Sequence, residues 1–201
     1  MSPGATFERV YRAIRMELGS GRLQPGDALE PAALAATLSA SITPVRDALH
    51  RLVGERLVES PRRDGFRTPA VTELGLRHLY RWNEALLLLA TRSMSATANP
   101  GLSLASDPAG PVDRAELVFG AIATAGRNPE QSDAVGALSD RLRPIRNAEL
   151  GVIDDIAAEL AAIESEVSQW QPGRLRRLLA TYHRRRERLA PEIVASLQPR
   201  P

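Results

Sequence analysis

The chain has 201 residues, of which 43% are hydrophobic and 4% aromatic, with no cysteine and a net charge of +2. This length is enough for one or two small domains whose cores are mostly aliphatic. The lack of cysteine excludes disulfides and thiolate metal sites, and it fits a reducing compartment. The longest apolar run, residues 85–90, is far shorter than the roughly 18–20 residues of a membrane span. Because residues 1–6 also lack a signal pattern, we expect a cytoplasmic protein without a membrane partner.

Charge is distributed unevenly, and every basic residue is an arginine. Residues 1–70 hold 10 Arg against 8 acidic residues, residues 107–166 hold 5 against 12, and residues 174–201 hold 8 against 2. Affinity for a polyanion would therefore come from a local arginine surface rather than from the global charge. The acidic middle and the basic end could also complement each other between two copies of the chain.

The first predicted element is an amphipathic helix over residues 7–18, whose apolar side chains recur at helical spacing. A short helix around residues 34–38 follows, and then a second helix that Ser41 or Thr43 can cap. Pro44 is tolerated there because it falls in the first turn. One side of this second helix is apolar (Val45, Ala48, Leu49, Leu52), and the other is polar and basic (Thr43, Arg46, Asp47, His50, Arg51).

A β-hairpin is predicted after these helices. Leu57-Val58 indicates a strand, and Asp64-Gly65 is a strong signal for a tight turn. Three arginines, Arg62, Arg63 and Arg67, cluster around this turn. A helix pair with a basic outward face beside an arginine-rich hairpin suits a DNA groove and its phosphates. The alternative interpretation is a small buried helical hairpin with a solvated charged face.

Residues 7–68 resemble the winged helix-turn-helix of the GntR family of bacterial transcription regulators. The resemblance is strongest over Ser41-Ile42-Thr43-Pro44-Val45-Arg46-Asp47-Ala48-Leu49, followed by Arg51-Leu52, Glu55, Leu57-Val58 and Gly65-Phe66. Residues 21–26 and Leu29 match the turn that joins the first two helices of the family. The resemblance implies that DNA is bound through Ser41, Thr43, Arg46, His50, Arg62, Arg63, Gly65 and Arg67.

The chain departs from the family at three positions. Ile42 and Ala32 lie where family members usually carry basic residues that touch DNA. Arg56 replaces a glycine that precedes the first wing strand. Because such a glycine normally takes a positive φ at a helix end, we expect the helix to end earlier here. These departures leave the usual half-site preference of the family open.

The rest of the chain predicts an all-α bundle, with helices at about 72–94, 112–126, 129–147, 149–170 and 173–197. Thr72 can cap the first of them, Pro144 should kink or shorten the third, and residues 93–111 indicate an exposed loop. The predicted fold is therefore mainly α. A winged helix-turn-helix with a small β-hairpin wing occupies residues 1–70, and an antiparallel helical bundle for effector binding and dimerisation occupies residues 71–201.

The bundle resembles, more weakly, the C-terminal domain of the FadR-like (FCD-type) subgroup, in a shortened and divergent form. That resemblance implies a dimerising bundle that binds a small carboxylate, often beside a divalent metal. The candidate ligand-binding residues are Asn83, Arg143, Arg146 and His183, and the ligand could be a carboxylate or an apolar molecule.

The metal ligands of the subgroup, an Asp and three His, are mostly missing. Asp113 could match the Asp, but Leu117 or Phe119 stands at the first His position and residues 154–156 contain no His. Only His183 remains, and we expect a capped or solvated role for it rather than a ligand role. Because such a site needs at least three protein ligands, we expect no metal and no cofactor.

The remaining candidates point away from catalysis. His50 could contact DNA or be merely solvated, and His78 is expected to be structural. Asp154 and Asp155 are adjacent, so they point about 100° apart on a helix. No nucleophile with its base, phosphate loop or Cys/His cluster is present in the sequence, so we expect no enzyme.

The sequence thus predicts a DNA-binding transcription regulator, more often a repressor than an activator. It would bind a pseudo-palindromic operator as a homodimer and could be modulated by a small molecule. Two alternatives stay open. One is a helical adaptor that binds another protein with little or no DNA binding, and the other is a metal-dependent sensor or enzyme built on the bundle.

Overall fold

The structure, a computed structural model, describes residues 3–61, 65–94, 110–169 and 172–198. Its helices over these ranges, in chain order, are α1 (Pro3–Gly19), α2 (Pro31–Thr37), α3 (Ile42–Gly54), α4 (Glu73–Ser93), α5 (Pro111–Ala125), α6 (Pro129–Glu149), α7 (Ile156–Ser168), α8 (Pro172–Arg188) and α9 (Ala190–Ser196). Most of the predicted loop 93–111 lies outside the described residues. At its two ends, Ser93 still belongs to α4 and Pro111 already begins α5.

Helices α1–α3 pack into an N-terminal unit with its own core. The predicted apolar side of α3, Val45, Ala48, Leu49 and Leu52, is buried, and it packs with Val10 and Ile14 of α1. The polar side of α3 is exposed at positions 43, 46, 47, 50 and 51. The helical periodicity of the sequence therefore predicted correctly which face of α3 is free.

The prediction of a β-hairpin wing is wrong, because no strand occurs among the described residues. Pairing is limited to two isolated antiparallel bridges, in which Arg67 pairs with Ala28 on one side and with Glu59 on the other. The peptide groups of Glu59 and Arg67 exchange two hydrogen bonds of 2.8 and 2.9 Å. Pro61 lacks an N–H, so it cannot donate to a longer ladder. The turn residues 62–64 lie outside the described ranges.

The predicted strand Leu57-Val58 instead closes the end of α3. The amide of Leu57 donates to the carbonyl of Leu52 at 2.9 Å, and the amide of Arg56 donates to that of Val53 at 3.0 Å. This is a Schellman cap, whose penultimate position normally holds a left-handed glycine. Arg56 takes that position with φ +59°. The expectation that the helix ends earlier is therefore wrong. Arg56 adopts the backbone conformation of the missing glycine.

Helices α4–α9 form the bundle, around a second core that includes Leu76, Leu87, Phe119, Leu142 and Leu160. The cap at Thr72 is confirmed, since its hydroxyl accepts a 3.1 Å hydrogen bond from the amide of Gly75. Helix α4 packs against α5, α6, α8 and α9. No helix within the described ranges is long and apolar enough to cross a membrane.

Two predicted helix boundaries in the bundle are wrong. Helix α6 agrees with its predicted range and continues past Pro144 to Glu149, so the proline does not shorten it. Helix α7 starts at Ile156 rather than at 149, because Asp155 takes a left-handed φ of +53°. The predicted helix 173–197 is divided into α8 and α9 at Leu189, since Pro191 cannot continue an α-helix through its own position.

The two units touch through α1 and α6. The side-chain amide of Asn147 donates to the carbonyl of Gly19 at 3.1 Å, and Arg15 forms an ion pair with Asp140. A Cβ at Gly19 would lie 2.8 Å from the Cδ of Arg143, so a larger residue here would require the Arg143 side chain to move. Beside the contact, the two units enclose a cleft of about 1210 Å³.

Candidate nucleic-acid interface

The first two turns of α3 and its N-cap present most of the candidate DNA-binding residues of this helix. Ser41 is the N-cap residue with an extended backbone, and its hydroxyl makes no capping hydrogen bond. Ser41, Thr43 and Arg46 are all exposed. Because Val45 and Leu49 fix the opposite side of the helix in the core, these polar side chains project away from the protein. The free hydroxyl of Ser41 and the first turn of α3 are thus accessible to a ligand.

Arg46 and Arg51 lie on the same helix but differ in their partners. Arg46 makes no hydrogen bond, ion pair or ring contact with any residue that the structure describes. Arg51 forms ion pairs with Glu8 and Glu55 at 3.2 and 3.1 Å, and its guanidinium lies 4.1 Å from the ring centre of Tyr11. The charge of Arg46 is therefore available to an external anion, whereas that of Arg51 is used within the N-terminal unit.

The other candidates of this unit lie near the end of the polar face. His50 is exposed, and its ring packs edge-on against Phe66 with centroids 5.0 Å apart. Gly65 has φ +73°, a conformation that favours glycine. Arg67 is paired with Glu59 at 3.1 Å. Arg62 and Arg63 lie outside the described residues.

Among the effector candidates, Asn83 and His183 meet in the core of the bundle. The Nδ2 of Asn83 lies 2.9 Å from Nε2 of His183, and Nδ1 of His183 lies 2.7 Å from the carbonyl of Leu179. A carbonyl only accepts, so Nδ1 carries the proton and Nε2 accepts from the amide. His183 is fully buried, so the expected solvated role is wrong. Burial lowers the pKa of His183 to about 3, and the ring is neutral.

Arg146 is also buried, and its guanidinium lies 5.4 Å from the ring centre of Phe119. Neither terminal nitrogen of Arg146 has a hydrogen-bond partner within the described ranges, and the same holds for Oδ1 of Asn83. Arg143 points elsewhere, since it bonds to Asp113 and Glu116 at 2.6 Å each. The four candidates therefore do not form one site.

Neither of the two described cavities is lined by Asn83, Arg146 or His183. The described part of the chain contains no group of three His, Asp or Glu residues that could hold a metal ion. Asp113, the candidate for the Asp of the subgroup, forms an ion pair with Arg143. His78, which was expected to be structural, is exposed and lines the cleft between the units, so that expectation is wrong.

Sequence reasoning missed a buried charge network around Arg186. The side chain of Arg186 is 0% exposed, with Nε 2.8 Å from Glu149 and Nη1 2.9 Å from Glu159. Its guanidinium lies 3.3 Å from the ring centre of Tyr182, and the hydroxyl of Tyr80 donates to Glu149 at 2.7 Å. One signal was available, because Arg186 continues the apolar stripe of α8 formed by Leu175, Leu179 and Tyr182.

Comparison with known proteins adds independent evidence. Residues 6–67 match the family model described as bacterial regulatory proteins, gntR family. A comparison with curated protein sequences finds no match.

Solved structures share the fold over nearly the whole chain. A GntR protein from Rhodococcus sp. RHA1 is 18% identical, with a TM-score of 0.73 over 94% of this chain and 98% of that one. McbR/YncC from E. coli is 19% identical, with a TM-score of 0.68 over 93% and 97%. Lar, which controls expression of the Listeria monocytogenes agr system, is 14% identical, with a TM-score of 0.53 over 95% of each chain. Residues 6–67 of this chain are thus similar to the gntR family of bacterial regulatory proteins, and the chain as a whole shares its fold with the Rhodococcus and E. coli structures.

Proposed function

We propose that this chain is a DNA-binding transcription regulator in which residues 1–70 read an operator. Residues 71–201 would then dimerise and respond to an effector. One observation carries the proposal most directly. Within the region that matches the gntR family, the exposed face of α3 holds Arg46 one turn from the start of the helix, a guanidinium without a partner in the described structure. An arginine placed in this way can bind a guanine edge or a phosphate of DNA.

Homodimerisation follows from the type of operator that we propose. A pseudo-palindromic site needs two copies of α3 at a fixed spacing, related by a two-fold axis. Leu74 and Leu89 of α4 are exposed on roughly the same side of the helix, and they offer an apolar surface for the bundle of a second copy. Sedimentation at micromolar concentration tests this part, and a monomer both free and on DNA would contradict it.

Charge complementarity between copies, suggested by the sequence, has less support. The basic end of the chain meets the acidic segment within the same molecule, since Arg185 pairs with Asp155 and Glu159 at 2.9 Å each. Arg186 pairs with Glu149 and Glu159. Because these arginines are already neutralised, the dimer would depend on apolar contacts.

The finer assignments are part of the same proposal. We propose that the bundle is a shortened, divergent relative of the FadR-like domain. We also propose that the protein is a repressor that responds to a small carboxylate or apolar molecule. A metal-free bundle is favoured because both ring nitrogens of His183 are already occupied, by Asn83 and by the carbonyl of Leu179. Near-stoichiometric zinc or nickel that disappears in His183→Ala would revive the metal-sensor alternative.

The decisive experiment is selection of duplexes from a random library by the purified chain, followed by fluorescence anisotropy at several salt concentrations. We expect one sequence class to bind with a clear salt dependence. Arg46→Ala should weaken this binding by roughly 1–3 kcal/mol if a base contact is lost, or flatten the salt slope by about one unit if a phosphate contact is lost. The matched control is Arg177→Ala, an exposed arginine on α8. No selected sequence and no salt dependence would favour the adaptor alternative.

The turn after α3 has its own test. We propose that Arg62 and Arg63 contact the DNA backbone, together with the backbone of Gly65. Replacing both arginines by alanine should then reduce specific and non-specific binding alike, because phosphate contacts are independent of sequence. A double variant with the salt dependence of the parent protein would show that this turn stays off the DNA.

A further inference from the structure

The cleft between the N-terminal unit and the bundle is large enough for a ligand. Its volume is about 1210 Å³, somewhat above the roughly 300–1,000 Å³ of most small-molecule sites. Its walls are α1 with the following turn, the end of α3, residues 68–72, and parts of α4 and α6. A molecule in this cleft would therefore contact both units at once.

Large apolar side chains lie open in this cleft. Met16 of α1 and Trp82 of α4 both line it, and they are 77% and 55% exposed. Leu79, Val71 and Pro144 add to the apolar surface. Exposed apolar area of this kind is stabilised when an apolar group covers it. The cleft is thus suited to an occupant with an apolar body.

The charges that line the cleft do not cancel, because six arginines face three carboxylates. Each carboxylate is paired with one lining arginine: Glu17 with Arg22, Glu116 with Arg143, and Asp140 with Arg15. A fourth arginine, Arg12, pairs with Glu8. Arg56 and Arg141 remain, and neither forms an ion pair with any residue in the described ranges.

These two arginines come from different units and act on each other. Arg56 follows the end of α3, where its left-handed backbone (φ +59°) is held by the Schellman cap. Arg141 lies on α6. Burial, together with the positive charge of Arg56, lowers the pKa of Arg141. Arg141 is half-buried and Arg56 is exposed, and both line the cleft. Their like charges repel each other, and an anion that contacts both would convert this repulsion into two favourable contacts.

We propose that the cleft binds an amphipathic organic anion, with its acid group between Arg56 and Arg141 and its apolar body against Met16 and Trp82. This deepens the effector part of the proposed function by naming a site and a ligand class. Because the ligand contacts both units, it favours one placement of α3 relative to the bundle. If the chain binds DNA as proposed, ligand and DNA then change each other's affinity by the same factor.

The test uses two dyes that differ in one charged group, titrated into the full chain and followed by fluorescence. 1-Anilinonaphthalene-8-sulfonate is the anion, and N-phenyl-1-naphthylamine is its neutral counterpart. We expect the anion to saturate one site per chain and to bind about tenfold more tightly than the neutral dye, a difference of about 1.4 kcal/mol, because its sulfonate can accept charge-assisted hydrogen bonds from the guanidinium groups.

The variants locate the site. Arg141→Gln and Arg56→Gln should each weaken the anionic dye about tenfold and leave the neutral dye unchanged, whereas Arg141→Lys and the distant control Arg177→Gln should stay near the parent protein. Met16→Gln should weaken both dyes, because it removes apolar surface from the cleft without changing its charge. Thermal unfolding by circular dichroism verifies that each variant is folded.

Several outcomes would overturn the proposal. Equal affinity for the two dyes, or an anionic dye that is insensitive to both glutamine variants, would show that the arginines do not form an anion site. Anion binding that weakens as the protein concentration rises would show that a second copy of the chain fills the cleft instead. These titrations need no DNA, so a failure of DNA binding affects only the proposed function. If DNA binds but leaves the dye affinity unchanged, the site is not coupled to DNA.

Discussion

The two units of this chain place their arginines in opposite environments. Arg46 of α3 is exposed and has no partner in the described structure, whereas Arg186 of α8 is fully buried between Glu149, Glu159 and the ring of Tyr182. An exposed, unpaired guanidinium contributes little to folding and remains available to a ligand. A buried, paired one belongs to the core, because removal of either partner leaves an uncompensated charge. The role of each arginine therefore depends on its burial and partners.

The histidines show the same contrast. His50 is exposed beside Phe66, and His183 is buried with both ring nitrogens engaged. We therefore expect the loss of an exposed, unpaired side chain to affect binding and the loss of a paired or buried one to affect stability. Three predictions test this division, and a fourth concerns the backbone of Arg56.

The largest effect is expected at Arg186. Arg186→Met removes the guanidinium but keeps much of the side-chain volume, so Glu149 loses its partner in the core. We expect the free energy of unfolding to fall by about 3–5 kcal/mol, measured by urea denaturation. Arg184→Met is the control at a neighbouring exposed position, and it should change the free energy of unfolding by less than about 0.5 kcal/mol. The double variant with Glu149→Gln should recover part of the loss, and equal losses in the two single arginine variants would contradict the division.

The second prediction concerns pH and His183. The pKa is about 3 in the folded protein against 6.5 for an ordinary histidine, so between these values only the unfolded chain binds the proton. The contribution of His183 to stability is complete above about pH 6.5 and is lost as the pH falls towards 3. The slope is at most about 1.4 kcal/mol per pH unit.

His183→Gln keeps a hydrogen-bonding side chain and removes this titration. Its unfolding free energy, followed by urea denaturation from pH 7.5 to 4.5, should therefore depend less on pH than that of the parent protein. Thr181→Ala, at an exposed position of α8 that carries no titrating group, is the control, and it should keep the parent slope. Identical slopes for the parent and His183→Gln would show that the ring is not buried in its neutral form.

The third prediction compares two arginines on one helix. Arg46→Ala should reduce affinity for a selected duplex by roughly 1–3 kcal/mol and leave the melting temperature unchanged. Arg51→Ala should instead lower the melting temperature, because it removes contacts with Glu8, Glu55 and Tyr11. Anisotropy and thermal unfolding of both variants provide the measurement. If Arg51→Ala impaired DNA binding more than Arg46→Ala, the assignment of the two residues would be reversed.

The smallest effect is expected at Arg56, whose left-handed backbone costs an L-residue roughly 1–2 kcal/mol. Arg56→Gly relieves that cost but adds freedom to the unfolded chain, so a net gain of about 0.5–1 kcal/mol in stability is expected. Arg56→Ala keeps the strain and should give no such gain. A glycine variant no more stable than the alanine variant in urea denaturation would show that the position is unstrained.

The sequence by itself determined the features that depend on local periodicity and local caps. The buried and exposed sides of α3 follow from the 3.6-residue repeat of Val45, Leu49 and Leu52, and Thr72 caps α4 as its side chain predicts. The motif around residues 41–49 also identified the family type of the N-terminal unit, which the family match supports. These properties could be predicted because each depends on residues only a few positions apart.

Tertiary structure decided the features that depend on distant partners. The backbone of the predicted hairpin is instead engaged with residues 26–29 and with the cap of α3. Among the described residues, two isolated bridges are found there in place of strands. Arg186 could enter the core because Glu149, 37 positions away, meets it there. The cleft with Arg56 and Arg141 arises only where the two units meet. Burial of a charge depends on what lies opposite it in space, and a pattern of neighbours along the chain does not contain that information.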